Sequence, residues 1–113
     1  MKLELNDKPR EFVANDVTIS DYGKVLLNSN EMVSFKTESS KEYDFVAKEW
    51  GYYATPSLNG RLINEGFKTA LVVNEYNKAY VMVVDIDKMD IFYDYLKTDK
   101  QKLVSWLDEW FGE

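Results

Sequence analysis

Two apolar runs near the middle of the chain, residues 67–73 and 79–86, constrain its fold more than any other feature. Leu71-Val72-Val73 and Tyr80-Val81-Met82-Val83-Val84 place apolar side chains at consecutive positions, so both faces of each run need cover. Short runs rich in β-branched residues are typical of strands, and the five polar residues 74–78 suit a hairpin loop. We therefore predict two neighbouring strands at the centre of a covered sheet.

Alternating apolar and polar residues predict further strands before this pair. Leu3 and Leu5 indicate a short first strand, and a second follows the turn signal at Asn15-Asp16, with a bulge or interruption near Gly23. Alternation continues across residues 33–38 and 43–48. The short polar turns between these segments favour an antiparallel meander.

The C-terminal residues 88–113 follow a helical pattern instead. Asp87 is a candidate cap for a first helix with its apolar stripe at Ile91, Phe92, Tyr95 and Leu96. Thr98 and Gln101 resemble the capping box of a second helix, in which Leu103, Val104, Leu107, Trp110 and Phe111 form the apolar face. Asp94, Asp108 and Glu109 would then form a solvated face.

Residues 55–66 allow two interpretations. Asn59-Gly60 is a type I′ hairpin signal. Alternatively Thr55 caps a helix, Pro56 is its first residue and Gly66 ends it. The start and stop signals agree on one length, which favours the helix. The predicted fold is therefore α+β and a single domain over residues 1–113. It has a mostly antiparallel sheet of about six strands, a short mid-chain helix and two C-terminal helices packed on one face.

Charge and composition exclude several functional classes. A net charge of −6, with no cluster of Lys and Arg, argues against nucleic acid and against an anionic membrane surface. The chain has no Cys and no His, which removes thiol nucleophiles, Ser–His–Asp triads and ordinary zinc sites. We find no apolar run of about 20 residues and no signal peptide, so we expect no membrane span and a cytoplasmic location.

The segment 49–61 carries the functional hypothesis. It combines three large aromatics, two glycines and several hydrogen-bonding side chains. A helix capped at Thr55 would offer free N–H groups to an anion, aromatic faces could stack on a sugar, and Arg61 could pair with phosphate or carboxylate. The predicted ligand-binding residues are Glu49, Trp50, Tyr52, Tyr53, Thr55, Ser57, Asn59 and Arg61. In the alternative interpretation, Trp50 and Tyr52 merely end a strand and fill the core.

Other candidate sites are weaker. Asp85, Asp87, Asp90 and Asp94 cluster at a helix start, where acids are expected anyway, so we predict no metal and no cofactor. Proton transfer through Glu49, Asp44, Lys48 or a Tyr is conceivable, but nucleophile motifs are absent and the chain is not expected to be an enzyme. Trp106 and Trp110 lie four residues apart and allow two interpretations. Either both rings cover the sheet, or one lies in the core and the other is exposed to a protein partner or a second copy.

The run Lys48-Glu49-Trp50-Gly51-Tyr52-Tyr53-Ala54-Thr55-Pro56-Ser57-Leu58-Asn59-Gly60-Arg61-Leu62, continued by Gly66-Phe67-Lys68-Thr69-Ala70-Leu71-Val72, resembles a group of small uncharacterised bacterial proteins that often accompany genes for surface-polysaccharide assembly. The resemblance covers about residues 43–110. It implies bacterial origin, a cytoplasmic location and a link to activated-sugar metabolism, and it implies no catalytic residues.

Together these observations predict a small accessory or binding protein for an anionic or sugar-like ligand in bacterial surface-polysaccharide metabolism. One alternative is a small enzyme acting on a nucleotide-linked sugar, with Glu49 or a Tyr transferring a proton and Arg61 holding phosphate. The other is a protein–protein interaction module that uses the C-terminal helices.

Overall fold

The computed structural model of the chain describes residues 1–111, and strands dominate it. In chain order the elements are β1 (Lys2–Ala14), β2 (Val17–Leu26), β3 (Met32–Lys36), β4 (Glu42–Lys48), β5 (Gly51–Ala54), α1 (Arg61–Asn64), β6 (Phe67–Val73), β7 (Ala79–Asp85), α2 (Met89–Thr98) and β8 (Lys102–Trp106). Single 3₁₀ turns precede α2 at Ile86–Lys88 and follow β8 at Leu107–Glu109.

The strands of the described chain form three small sheets instead of one sheet of about six strands. Their orders are β1-β2, β3-β4-β5 and β7-β6-β8. The predicted fold was therefore wrong in its sheet and in its second C-terminal helix, although α and β elements do coexist. The last two residues of that predicted helix, 112–113, lie outside the described residues.

The chain divides into two compact units. The first comprises Met1–Ser34 and Asp44–Ala54, and the second comprises Phe35–Tyr43 and the chain from Thr55 onwards. This division does not test the prediction that residues 1–113 form a single domain, which stays a prediction.

The second unit is built on the two apolar strands β6 and β7, which span the residues that the sequence predicts. The prediction that both lie at the centre of a covered sheet was wrong for β7, because β7 is an edge strand and Val81 on it is 64% exposed. β6 pairs antiparallel with β7 on one side and with β8 on the other. One face of this sheet forms the core with Leu96 of α2, through Ala70, Val72 and Val84. Partly buried Met82, Met89, Phe92, Leu103 and Trp106 surround this cluster.

Helix α2 is the first of the two predicted C-terminal helices, but Asp87 does not cap it. The Asp85 side chain accepts a hydrogen bond from the Asp87 N–H (2.9 Å) and caps the preceding 3₁₀ turn instead. The helix ends in a Schellman motif: Lys100 has a φ of 56° and the Gln101 N–H donates to the Leu96 carbonyl at 2.8 Å. The chain therefore reverses where a second helix was predicted to begin.

Strand β8 occupies the place of that second helix. Leu103 lies opposite Val72 and Trp106 opposite Ala70, so both reach the core cluster, while Val104 between them is exposed. A five-residue segment can satisfy strand and helix periodicities alike. The segment forms a strand because the second edge of β6 would otherwise have unpaired backbone groups, and β8 supplies their hydrogen bonds.

The mid-chain helix exists but spans only Arg61–Asn64, so its predicted start at Thr55 was wrong. Ser57 takes the capping role: its Oγ accepts from the Arg61 N–H at 3.0 Å, and its carbonyl accepts from the Leu62 N–H at 3.0 Å. Gly66 follows the helix with a φ of 96°, as a terminating glycine should. Leu62 is fully buried, so packing holds this single turn in place.

The first unit contains a hairpin, β1–β2, that is much longer than the short strand predicted from Leu3 and Leu5. Asn15 and Asp16 have φ values of 51° and 64°, as a type I′ turn requires. The predicted irregularity at Gly23 is present: the register shifts between Leu5 and Arg10 of β1. A Cβ on Gly23 would lie 2.2 Å from the Glu4 carbonyl oxygen, so only glycine fits this crossing.

No helix in residues 1–111 combines the length and apolar character that crossing a membrane requires.

A partly buried ion pair within the second unit joins the turn before β4 to the end of β7. The Lys41 ammonium contacts the Asp85 carboxylate, and it also reaches Asp87 Oδ2 at 3.1 Å and the Gly66 carbonyl at 3.4 Å. The hydrogen bond from Lys41 lowers the pKa of Asp85 from its ordinary value of 3.8. The same bond raises the pKa of Lys41 above 10.5.

This ion pair predicts the pH dependence of a Lys41→Met variant. A carboxylate with a depressed pKa stabilises the fold above pH 3.8 and loses that contribution as the pH falls further. An ammonium with a raised pKa stabilises it below pH 10.5 and loses that contribution in stronger alkali. Between these limits the variant should therefore have a lower free energy of unfolding than the parent. This difference in free energy should become smaller below pH 3.8 and above pH 10.5.

Urea unfolding across a pH series measures this difference. Lys36→Met is the control, because the Lys36–Glu42 pair lies in the same unit but is half exposed on both sides and should contribute little. A difference between parent and Lys41→Met that stays constant into acid would contradict the assignment.

Candidate ligand-binding site

The aromatic part of the predicted segment forms the tip of the β4–β5 hairpin in the first unit. Lys48 pairs with Gly51, which leaves Glu49 and Trp50 as the turn. Gly51 has a φ of 140°, a backbone conformation that favours glycine, although open space surrounds the position of its missing Cβ. The sequence Glu-Trp-Gly therefore turns the chain and presents Trp50 at the end of the hairpin.

Trp50 and Tyr53 form a stacked pair, which we call the aromatic platform. Their ring centroids lie 6.0 Å apart and their planes differ by 14°. Trp50 is 73% exposed and Tyr53 45% exposed. Such large exposed rings are energetically expensive in water, so two stacked rings at a hairpin tip form a surface suited to a ligand.

Tyr52 lies on the opposite face of the hairpin, because successive side chains of a strand point to opposite sides. Its ring packs edge-on against Phe45, with centroids 6.2 Å apart and an angle of 75°. Tyr52 is still 72% exposed. Neither Trp50 nor Tyr52 fills the core, so the alternative interpretation was wrong in assigning them to it.

Polar groups accompany the platform on its own face. Tyr53 lies opposite Val46, and Lys48, two residues further along β4, points to the same side. The Lys48 ammonium donates to Asn30 Oδ1 at 2.6 Å. Glu49 is exposed in the turn. Strand alternation alone could have placed Lys48 here, whereas Asn30 comes from a distant turn and no sequence signal pointed to it.

The other predicted residues, Thr55, Ser57, Asn59 and Arg61, lie in the second unit. The Arg61 guanidinium donates to Thr55 Oγ1 at 3.0 Å and pairs with Glu65 Oε1 at 3.1 Å, and Ser57 caps α1. A helix of four residues has no developed dipole and no row of free N–H groups, so the expected anion site at a Thr55 cap has no structural basis. A ligand role for these four residues stays a prediction.

The acidic cluster at the end of β7 is organised around a lysine. Asp85 and Asp87 both contact Lys41, while Asp90 and Asp94 are exposed on α2. In the part of the chain that the structure describes, acidic side chains do not converge in threes as a metal site would require.

The two C-terminal tryptophans differ in their surroundings. Trp106 packs on Phe92, with ring centroids 5.9 Å apart, beneath the Lys68 ammonium, which lies 5.0 Å from its centroid. Trp110 is 62% exposed, and Phe111 beside it is also exposed. One ring is therefore structural and the other is open to solvent. In place of the predicted helix, Trp106 lies in β8 and Trp110 follows the 3₁₀ turn.

Comparison of the chain with protein-family models, with curated proteins and with solved structures finds no match.

Proposed function

We propose that this chain is a non-enzymatic accessory protein that holds a sugar-like ligand on the aromatic platform of Trp50 and Tyr53. The observation that carries the proposal is the exposed, stacked geometry of these two rings. Sugar rings offer flat apolar C–H faces to aromatic rings, and polar groups beside the rings fix the ligand's orientation. Lys48 and Asn30 supply an ammonium and an amide on the same side of the hairpin.

The chemistry of the chain supports binding rather than turnover. Without His or Cys, proton transfer would depend on a carboxylate, a lysine or a tyrosine, and Glu49 at the platform is an exposed carboxylate. The setting we propose is bacterial surface-polysaccharide metabolism in the cytoplasm, as the resemblance of residues 43–110 implies.

A thermal-shift screen against free sugars, sugar phosphates, nucleotide sugars and divalent cations tests the proposal. A ligand that binds only the folded protein should stabilise it by about 2.7 kcal/mol at a hundredfold excess over its Kd. We expect a shift with one sugar class. Conversion of a nucleotide sugar during the assay would establish the enzyme alternative instead.

Substitution of the platform then locates the site. Trp50→Ala should weaken binding of the active sugar about tenfold or more, the loss typical of a stacked aromatic contact, as measured by titration calorimetry. Tyr76→Ala is the matched control, since Tyr76 is an equally exposed aromatic in the β6–β7 loop of the other unit. Equal affinity in both variants would exclude the platform, and a screen without any shift would remove the proposed function itself.

Exposed Trp110 and Phe111 favour a second candidate function, binding of a protein partner at the C-terminal end. Adjacent exposed aromatics are typical of interface hot spots. Trp110→Ala should then abolish co-purification of that partner and leave sugar binding unchanged.

A further inference from the structure

The β1–β2 hairpin is the least covered part of the first unit. Almost every residue of β1 and β2 is exposed, including apolar Leu5, Val13 and Val17. Within residues 1–111, β2 pairs with β1 alone. A two-stranded hairpin is only marginally stable in water, and a third strand or a packed face normally supports it.

The two edges of this hairpin differ in their capacity to accept another strand. Pro9 deprives β1 of one N–H group, and the register shift between Leu5 and Arg10 disrupts the strand at the same place. Proline and bulges are the features that protect a strand edge from pairing. β2 contains no proline, and although Gly23 has a φ of 127°, the extra residues of the register shift, 6–9, lie on β1 opposite Tyr22 alone. The outer edge of β2 is therefore the more open of the two.

We propose that β2 pairs antiparallel with β2 of a second copy of this chain, giving a four-stranded sheet in the order β1-β2-β2-β1. The contact is isologous, so one two-fold axis completes both hairpins and leaves no unpaired β2 edge. The resulting sheet reaches the number of strands that stands independently.

The charge of the hairpin suits a second copy. Residues 1–26 carry four basic and five acidic side chains, whereas the whole chain has a net charge of −6. Two copies that meet at the hairpin therefore bring together surfaces that are nearly neutral, so net charge repulsion opposes the contact little.

The side chains of β2 also select a register. In a symmetric antiparallel pair one residue lies opposite itself, and two such registers overlap nearly all of β2, one centred on Asp21 and one on Tyr22. The first would place two carboxylates directly opposite each other, which is unfavourable. The second places Tyr22 opposite Tyr22 and Ile19 opposite Val25, so an aromatic pair and two apolar pairs cross the axis without opposing like charges.

Cysteine cross-linking tests this register, since the chain contains no cysteine. Opposed Cα atoms of such a pair lie about 4.5–5.5 Å apart, within the range that a disulfide bridges. Tyr22→Cys should therefore give covalent dimers on mild oxidation. Thr18→Cys alone should not, because its two copies would lie about 26 Å apart, but mixed with Leu26→Cys it should give the heterologous dimer.

Sedimentation equilibrium of the full chain tests the association itself. The parent should be a dimer, and Tyr22→Asp should raise its dissociation constant about tenfold or more by opposing two carboxylates. The control Tyr76→Asp introduces the same charge at an exposed tyrosine of the other unit and should leave the dimer intact. A monomeric parent, a dimer unaffected by Tyr22→Asp, or cross-linking only at other positions would each overturn the proposal.

Discussion

Leu62→Ala should lower the free energy of unfolding by about 2–5 kcal/mol, the cost of truncating a fully buried leucine. Leu62 has no exposed surface although it lies in a helix of only four residues. A single helical turn is not stable by itself, so α1 exists because this side chain is packed. The loss should therefore be large for a position outside the main core cluster.

Truncation of Leu62 should also affect the C-terminal part of the predicted binding segment 49–61. Ser57 caps the turn that presents Leu62, and Arg61 beside it holds Thr55. Loss of the Leu62 anchor should release these contacts together, so that Thr55 and Arg61 lose their fixed geometry. If sugar binding depends on the hairpin tip alone, the folded fraction of Leu62→Ala should still bind with parental affinity.

Urea unfolding followed by near-ultraviolet circular dichroism measures the predicted loss. Ile91→Ala is the control: it truncates a side chain of similar size that is exposed on α2 of the same unit, and it should change stability by less than about 0.5 kcal/mol. Similar effects of the two substitutions would mean that α1 does not pack as described.

The sequence predicted elements whose signals are local and missed those that depend on distant pairing. β6 and β7 are consecutive apolar runs with a polar loop, so their pairing could be predicted from residues 67–86 alone. The Asn15-Asp16 turn and the irregularity at Gly23 carried equally local signals. The length of β1 did not, because residues 6–14 lack regular alternation and join the strand only by pairing with β2.

The misassigned second helix shows the same limit. The apolar spacing of residues 103–111 fits a helix face, and Thr98 with Gln101 resembles a capping box. The outcome depends on β6, about 30 residues earlier in the chain, whose second edge needs a strand. The local pattern does not show the Schellman motif, because lysine rarely adopts the positive φ that Lys100 has. It also does not show that one edge of β6 is unpaired until β8 joins it.

The candidate site divides in a similar way. Its aromatic half follows from Trp50, Tyr52 and Tyr53 around a turn glycine, and these side chains are exposed as a ligand surface requires. The polar half assumed a cap at Thr55, but Ser57 lies four residues before the Arg61 N–H and captures it instead. Both residues are good caps, so the sequence could not show which of them accepts from the first turn of α1.

Substitution of Asp108 should give the second large effect. It also distinguishes the observed strand at residues 102–106 from the helix that the sequence predicted there. The sequence pattern placed Asp108 and Glu109 together on a solvated face, but the Asp108 side chain is only 3% exposed. Its Oδ1 accepts from the Thr69 N–H at 3.1 Å and its Oδ2 from the Lys68 ammonium at 2.8 Å. Glu109 contacts the same lysine at 2.8 Å but is 60% exposed.

Asp108→Ala should therefore destabilise the protein by about 2–3 kcal/mol, because it leaves a buried N–H without an acceptor and removes the inner partner of Lys68. Lys68 keeps its contacts with Glu109 and the Trp106 ring in this variant, so the loss of stability should be smaller than for a buried charge without any partner. Glu109→Ala, the control, breaks the outer contact to the same ammonium and should cost less than about 1 kcal/mol. Urea unfolding of both variants gives the comparison. If both substitutions lower the free energy of unfolding by a similar small amount, both acids lie on a solvated helix, as the sequence predicted. A much larger loss for Asp108→Ala requires that the turn after β8 is hydrogen-bonded to β6.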